Sequence, residues 1–271
     1  MTQVLYTPAA RTVVQAVAPT RARVESTGHF SIYDPAVLAL SGWWRDYPPE
    51  SGGAPVPWAS SASAGPSVGR TLYHGVSSPT QGALYNGHRS AGFDGVYNST
   101  NSQEGSGELI NQYITATAWT RWYVFKASVL NAPGDNPTLD PNSWASRALF
   151  DDLGYTYLCD TVDTAGIHIH QYDAGGRKII SSGPIVVGTV YRVIARFDGA
   201  FMRLRVNGVD VTPVASGTIT SPYLAIPYRL GDSYSTAHFG GDLLEHGVSQ
   251  VSLTDAQVSL VDSYFVSRYG V

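Results

Sequence analysis

The chain has 271 residues, of which 43% are hydrophobic and only 14% are charged, and its formal net charge is −4. Its 17 Lys and Arg residues form no basic run, and nucleic-acid binding depends on a clustered basic footprint, so we expect no nucleic-acid partner. We also expect a cytoplasmically made chain without a membrane partner, because the N-terminus lacks a signal-peptide pattern and no apolar stretch approaches the roughly 20 residues of a membrane helix.

Residues 1–28 differ from the rest of the chain. Valines are scattered among Thr, Ala, Pro and Arg without a helical period, and Thr7-Pro8 and Ala18-Pro19 interrupt any long element. We interpret residues 1–28 as an extended arm with one or two short strands, which is either an anchor to a neighbouring subunit or the first strand of the same domain. Residues 29–271 are then predicted to form one domain, since all-β sandwiches of this length often do.

A stretch rich in Ser, Gly, Pro and Ala continues to Gly82 and predicts long surface loops, where binding sites tend to lie. Strand patterns then recur along the chain. Aromatic and β-branched segments separated by Gly and Asp turns predict strands over Ser90–Tyr97, Ile114–Lys126, Trp144–Asp152, Tyr155–Asp160, Gly166–Tyr172, Val190–Phe197, Phe201–Val206 and Val209–Val214. Hairpin turns are predicted at Gly175-Gly176, Asp198-Gly199 and Asn207-Gly208. This spacing predicts a β-sandwich or barrel.

One helix is predicted, near the C-terminus. Thr254 followed by Gln257 three residues later is a capping box. Apolar residues then recur at helical spacing in Val258, Val261, Tyr264 and Phe265. Gly270 is a typical residue for the end of a helix.

The C-terminal part of the chain resembles the closing motif of concanavalin A-like, laminin-G-like domains of bacterial and phage proteins. In that family a strand of the form Gly-Asp-hydrophobic-x-Glu leads through a polar turn into a short capped helix that ends in Tyr-Gly. The corresponding segments here are Gly241–Glu245, Leu253–Gln257 and Arg268–Gly270.

Other segments resemble the same family in the same order. Leu40–Trp44 is similar to its opening strand, Gly92–Val96 to its FDGVDD turn and Tyr191–Val206 to its long hairpin. The resemblance spans roughly Ser31 to Val271. It implies an antiparallel jelly-roll β-sandwich of the concanavalin A-like kind with one short C-terminal helix.

The carboxylates argue against an enzyme. Related glycoside hydrolases carry alternating carboxylates on one strand, which a two-carboxylate mechanism needs on one face, and none of the chain's glutamates has that arrangement. Asp242 and Glu245 are three residues apart, so strand alternation predicts that they face opposite sides. Nucleotide-binding glycine motifs and the zinc-protease motif are also absent. We therefore predict a protein without catalytic residues.

The strongest candidate for a ligand site is the segment Gly166–Tyr172. Alternation places His168, His170 and Tyr172 on one face of a strand and two isoleucines on the other. This pattern is typical of a polar outer face over an isoleucine-lined core, and it could also contact a sugar or contribute two ligands to a metal. Tyr97 and Trp58, near predicted loops, are further candidates because aromatic rings stack on sugars or fill protein interfaces.

We predict no bound metal and no cofactor. A calcium ion on loop oxygens is compatible with the fold family, and the candidate ligands for it are Asp94, Asn98, Asp160, Asp163 and Asp173. None of them lies in a dense acidic loop. The simpler interpretation is that these side chains stabilise turns.

Two functions remain open. The first is a non-enzymatic structural component of a phage particle or similar assembly, located in the virion as a decoration, fibre or tail module. Residues 1–28 would contact other subunits, the chain would be part of an oligomer or larger particle, and the sandwich could adhere to cell-surface polysaccharide. The second is a carbohydrate-binding module that is not tied to a virion. A polysaccharide-cleaving hydrolase is a weaker third possibility.

Overall fold

The computed structural model describes residues 40–48, 58–59, 71–74, 79–95, 100–101, 117–130, 147–151, 158–219, 229–231 and 238–271. The predicted arm over residues 1–28 lies outside these ranges. Within them the elements are β1 Leu40–Arg45, β2 Trp58–Ala59, β3 Thr71–His74, β4 Thr80–Tyr85, β5 His88–Asp94, β6 Thr100–Asn101, β7 Trp119–Ala127, β8 Arg147–Asp151, β9 Leu158–Asp163, β10 Gly166–Asp173, β11 Gly176–Ser181, β12 Val190–Phe197, β13 Phe201–Val206, β14 Val209–Asp210, β15 Val214–Ala215, β16 Arg229–Leu230, β17 Gly240–Ser249 and α1 Asp255–Tyr269.

These strands form two antiparallel sheets. The first sheet has the order β14-β13-β12-β7-β17-β5-β4, with β1 paired to β17 and β15 paired to β13. The second has the order β11-β10-β9-β8-β16-β6-β3-β2. Neighbours that are distant in sequence, such as β7 and β17, require long crossovers between strands. The architecture is the antiparallel jelly-roll β-sandwich that the sequence predicts.

A hydrophobic core fills the space between the sheets. The first sheet contributes Phe93, Phe125 and Phe197, and the second contributes Ile167 and Ile169, all less than 5% exposed. The two isoleucines alternate with His168 and His170 along β10, which confirms the predicted orientation of that strand. Burial of such side chains is the main source of stability in a domain of this kind, at roughly 25 cal/mol per Å² of apolar surface.

Tight turns connect several neighbouring strands at the predicted dipeptides. Asn207 and Gly208 have φ angles of 49° and 83° between β13 and β14, as a type I′ hairpin turn requires. Asp198 stabilises the β12–β13 turn by accepting hydrogen bonds from the backbone N–H groups of Ala200 and Phe201. Asn86-Gly87 forms a further turn with positive φ angles between β4 and β5.

Helix α1 covers the outer face of the first sheet. Val258, Val261 and Phe265 pack on Trp122 and Val124 of β7 in a second hydrophobic cluster. As a result β7 is buried on both faces, because its alternate residues Tyr123 and Phe125 point into the sandwich core.

The ends of α1 follow the predicted signals. The Thr254 hydroxyl accepts from the backbone N–H of Gln257, whose side chain in turn accepts from the Thr254 backbone N–H. Gly270 ends the helix in the left-handed conformation, with φ of 68°. Arg192 of β12 donates to Asp262 at 2.9 Å and to the Val271 carbonyl at 2.8 Å, so it holds the helix against the sheet.

A bulge in β17 corrects one sequence prediction. The register against β7 shifts between Leu243 and Glu245, which adds one residue to the bulged strand. Leu244 and Glu245 therefore both face α1. Asp242 bonds to Tyr85, which packs on the same outer cluster. Simple alternation separates Asp242 and Glu245, and this prediction is wrong because the bulge places both on the helix side.

Candidate functional site

The predicted histidine pair lies on the outward face of the second sheet. His168 is opposite Thr161 of β9 and Ser181 of β11, and His170 is opposite Cys159 and Ile179. Tyr172 is opposite Arg177 at the same edge. The strands thus bring His168, His170 and Tyr172 together on one face.

Both histidines are buried, with exposures of 5% and 2%. The His168 ring is fixed at both nitrogens: Nε2 lies 3.1 Å from an Asp163 carboxylate oxygen, and Nδ1 lies 2.8 Å from the Ser181 hydroxyl. Asp163 also accepts from the backbone N–H groups of Ala165 and Gly166 at the β9–β10 turn. A ring with both nitrogens engaged holds the turn in place and leaves neither nitrogen for a metal.

His170 differs from His168. Its Nε2 lies 3.4 Å from the Thr161 hydroxyl, while Nδ1 has no hydrogen-bond partner. Burial lowers the pKa of His170 well below its ordinary value of 6.5, and the positive charges of Arg177 and Arg121 lower it further. His170 is therefore neutral in the folded protein.

Of the remaining predicted contacts, Tyr172 is only half-buried and is the most accessible of the three residues on this face of β10. Trp58 belongs to the short strand β2, and Tyr97 lies outside the described residues. The proposal that these five residues contact a ligand stays a prediction.

A second polar cluster lies inside the sandwich, and it is not among the sites predicted from the sequence. Arg121 of β7 donates to Asp160 of β9 at 3.0 Å, and both side chains are fully buried. The Tyr123 hydroxyl donates to the second Asp160 oxygen at 2.5 Å. The Arg121 guanidinium lies 4.1 Å from the centre of the Trp119 ring, and such stacking of a desolvated cation is favourable. The available signal is a charged residue in the middle of an aromatic strand, since buried charges need partners.

Burial dominates the electrostatics of this cluster. It raises the pKa of Asp160 to about 6, although Arg121 and the Tyr123 hydroxyl act in the opposite direction. His246 stacks on Tyr123 with ring centres 4.8 Å apart, and burial lowers the pKa of His246 to about 3. The cluster links the two sheets through their interior.

Glu245 forms a third buried site, under the helix. Its carboxylate accepts from Tyr269 at 2.7 Å, from Tyr264 at 3.0 Å and from the Trp122 indole at 3.3 Å. Burial and the adjacent carboxylate raise the pKa of Tyr264 and of Tyr269 well above the ordinary value. Glu245 therefore anchors α1 to the sheet.

Three of the five calcium candidates serve other contacts. Asp160 is in the buried ion pair and Asp163 bonds to His168. Asp173 accepts from the backbone N–H groups of Gly175 and Gly217 at 2.7 and 2.6 Å. Among the described residues, no group of three His, Cys, Asp or Glu side chains is arranged to hold a metal ion. Asn98 lies outside the described ranges, and the absence of a cofactor stays a prediction.

This chain resembles known proteins in its structure. The sequence matches no protein-family model and no curated protein at a significant level. In the described part of the chain, no helix has both the length and the apolar character needed to cross a membrane.

Solved structures share the fold. Domain 4 of AbnA, a GH43 extracellular arabinanase from Geobacillus stearothermophilus, in complex with arabinotriose, has a TM-score of 0.56 and 11% identity, covering 83% of this chain and 98% of that one. The binding domain of Paraclostridial Mosquitocidal Protein 1 has a TM-score of 0.55 and 12% identity, covering 84% and 52%. Botulinum neurotoxin type C, whose cell entry depends on two ganglioside molecules, has a TM-score of 0.55 and 6% identity, covering 83% and 50%.

The chain thus spans about half the length of the two toxin chains and nearly all of the arabinanase domain. At these identities the likeness concerns the fold. The protein has an antiparallel jelly-roll β-sandwich, and it shares this fold with the three solved structures.

Proposed function

We propose that the protein is a non-enzymatic, glycan-binding sandwich that serves as a structural component of a phage particle or a similar assembly. The observation that carries the glycan-binding part is the match in fold to almost the whole of a single domain, the arabinanase domain crystallised with arabinotriose. A match to one complete domain supports a binding module more directly than a match to part of a larger chain.

The contacts of the carboxylates support a role without catalysis. Glycoside hydrolysis needs two carboxyl groups facing one open site, about 5–10 Å apart. Asp160 and Glu245 are both fully buried and hydrogen-bonded to tyrosines. Asp163 and Asp173 accept hydrogen bonds from the backbone of their own turns. Each of these carboxylates makes contacts that stabilise the fold. A hydrolase would instead need its two carboxyl groups to be accessible to the substrate.

Composition supports the assembly part. A charged share of 14% is well below the usual share of about 25%, so much of the surface is neutral and polar. Such a surface suits hydrogen bonding to neutral ligands or contact with other subunits. Residues 1–28 differ in composition from the domain and are suited to attach it to a neighbour.

Glycan binding is tested on the purified chain with a glycan array, followed by titration with bacterial surface polysaccharides. We expect selective binding, with no release of reducing ends after long incubation. Tyr172→Ala removes the accessible aromatic ring from the face of β10 that carries His168 and His170. Phe201→Ala is the matched control, because Phe201 is an aromatic residue with 42% exposure on the other sheet.

If Tyr172→Ala lost glycan binding and Phe201→Ala did not, the binding site would lie on the predicted face of β10. A wild-type chain that binds nothing across both panels would contradict the glycan-binding part of the proposal. Turnover that disappears on substitution of one carboxylate would instead support the hydrolase alternative.

The assembly part has its own test. Deletion of residues 1–28 should prevent incorporation into particles, while the circular dichroism spectrum still reports a folded sandwich. If the truncated chain were incorporated normally, residues 1–28 would not be the attachment segment. A full-length chain that remains monomeric and particle-free in its native source would favour the free carbohydrate-binding module.

A further inference from the structure

A polar patch lies on the outer face of the first sheet, and one of its residues, Lys126, has no structural role there. Lys126 of β7 lies directly opposite Asp242 of β17 and, on its other side, opposite Val190 of β12. Tyr85, at the end of β4, reaches the same patch through Asp242. All four residues are only half-buried.

Asp242 is held firmly in this patch. Its carboxylate accepts from the Tyr85 hydroxyl at 2.8 Å, from the Ser90 hydroxyl at 2.9 Å and from the Ala83 backbone N–H at 3.2 Å. A Cβ atom at Gly82 would lie 2.2 Å from the Asp242 oxygen, so glycine at this position leaves room for the carboxylate. The side chain is therefore preorganised before any ligand arrives.

The contacts of Asp242 do not involve the Lys126 ammonium. Although its cross-strand neighbour is a carboxylate, the described structure gives the Lys126 ammonium no hydrogen bond and no ion pair. It lies 6.0 Å from the centre of the Tyr85 ring. An ammonium group has three donors, and here they remain for a ligand.

The chemistry of the patch selects a class of ligand. Directly opposite residues have Cβ atoms about 5 Å apart, so Lys126 presents donors and Asp242 presents an acceptor at neighbouring points. A vicinal diol satisfies both, because one hydroxyl accepts from the ammonium and the next donates to the carboxylate. A uronic acid fits less well, since its carboxylate would approach Asp242.

We propose that Tyr85, Lys126 and Asp242 form a binding subsite for a neutral sugar ring with vicinal hydroxyls, with Val190 and the Tyr85 ring contacting its apolar C–H surface. The subsite rests on the proposed glycan-binding function and assigns it a place beside the helix, on the opposite sheet from His168 and His170.

The sequence offers a direct test because it contains only two lysines, Lys126 and Lys178. Reductive methylation with ¹³C-formaldehyde gives one NMR signal for each. The probes are the methyl glycosides of galactose, glucose and arabinose, and the methyl glycosides of the neutral oligosaccharides that bind on the array, because glycosides cannot react with amines themselves. We expect a bound sugar to slow methylation of Lys126 several-fold and to leave Lys178, on the other sheet, unchanged.

A pair of variants completes the experiment. Lys126→Met keeps the apolar stem and removes the donors, so we expect affinity for the neutral sugar to fall tenfold or more. Lys178→Met is the matched control and should bind like wild type. The methylation experiment uses the wild-type chain, so it remains informative even if Lys126→Met is poorly folded.

The outcomes separate the two proposals. If the wild-type chain binds no glycan, the proposed function itself fails. If it binds glycan while Lys126 is neither protected nor required, this subsite is wrong and glycan binding stands. Preference for polygalacturonate over neutral polymers, lost in Lys126→Met, would overturn the assignment to neutral sugars.

Discussion

The buried pair of Arg121 and Asp160 leads to a quantitative prediction about stability. Removal of one partner leaves the other as an uncompensated charge in the sandwich interior, which typically costs about 3–5 kcal/mol. We therefore expect both Arg121→Met and Asp160→Leu to lower the free energy of unfolding by about that amount. Since domains are stable by only about 5–15 kcal/mol, these variants should be measured with a stabilising osmolyte present.

The double variant should be much less damaging than the sum of the two. Replacing a buried ion pair by apolar residues is often close to neutral. In this site the Tyr123 hydroxyl also loses Asp160 as its acceptor, and such a loss costs about 1–3 kcal/mol. We expect a double-variant penalty of about 1–3 kcal/mol, against about 6–10 kcal/mol for independent sites, and hence a coupling energy of at least about 3 kcal/mol.

Urea unfolding followed by tryptophan fluorescence measures these energies, because Trp119 and Trp122 are fully buried and flank Arg121. The control is Arg203→Met, which breaks an ion pair with Asp198 that is partly exposed and should cost at most about 1 kcal/mol. Additive penalties at Arg121 and Asp160, or a penalty below about 1 kcal/mol in Arg121→Met, would refute the reasoning.

The pH dependence gives an independent check on Arg121→Met. Burial raises the pKa of Asp160 from 3.8 to about 6, and Arg121 counteracts this increase. The folded state thus favours the protonated carboxyl, and this contribution to stability is complete below about pH 4 and is lost as the pH rises through about 6. Without Arg121 the pKa of Asp160 should rise further, so the penalty should be smaller at pH 5 than at pH 8. An equal penalty at both pH values would contradict the assignment.

Three further predictions concern other parts of the fold. Burial lowers the pKa of His246 from 6.5 to about 3, so its contribution to stability is complete above pH 6.5 and is lost as the pH falls towards 3. His246→Phe should reduce this loss by about 1.4 kcal/mol per pH unit, measured as the free energy of unfolding at a series of acidic pH values. An unchanged dependence on pH would be inconsistent with a neutral His246. Gly247→Ala should destabilise the protein by more than about 2 kcal/mol or prevent folding, because the new Cβ atom would lie 2.1 Å from the Trp122 ring. The control Gly183→Ala, whose Cβ atom would have nothing within 4 Å, should be close to neutral in thermal unfolding. Thr254→Ala removes the helix cap and should cost about 1 kcal/mol in urea unfolding, and a wild-type midpoint would show that the cap is unimportant.

Local signals in the sequence predict the elements well where structure is decided locally. The capping box at Thr254, the end of the helix at Gly270 and the turn at Asn207-Gly208 are all confirmed. Each depends on backbone preferences within a few residues. The Asn86-Gly87 turn carries the same signal, yet the prediction begins the strand at Ser90 and misses β4, since loop-like composition extends up to Gly82.

Features that depend on distant partners are harder to predict. The bulge at Glu245 forms where Tyr264 and Tyr269, 19 and 24 residues later, bond to its carboxylate, and nothing in the strand itself indicates it. The ion pair of Arg121 with Asp160 joins residues 39 apart on different sheets. For His168 the pattern predicts the face correctly, but alternation contains no information about burial. The candidate site depends on these long-range contacts more than the fold does.

The burial of β7 on both faces has a consequence for tolerance to sequence change. In a strand with one wet face, every second position accepts most polar residues. In β7 only Lys126 is even partly exposed, so a library of random substitutions should recover mainly residues of similar size and polarity at the other eight positions. The segment Trp119–Ala127 should therefore tolerate a narrower range of residues than the strands that have one face in water.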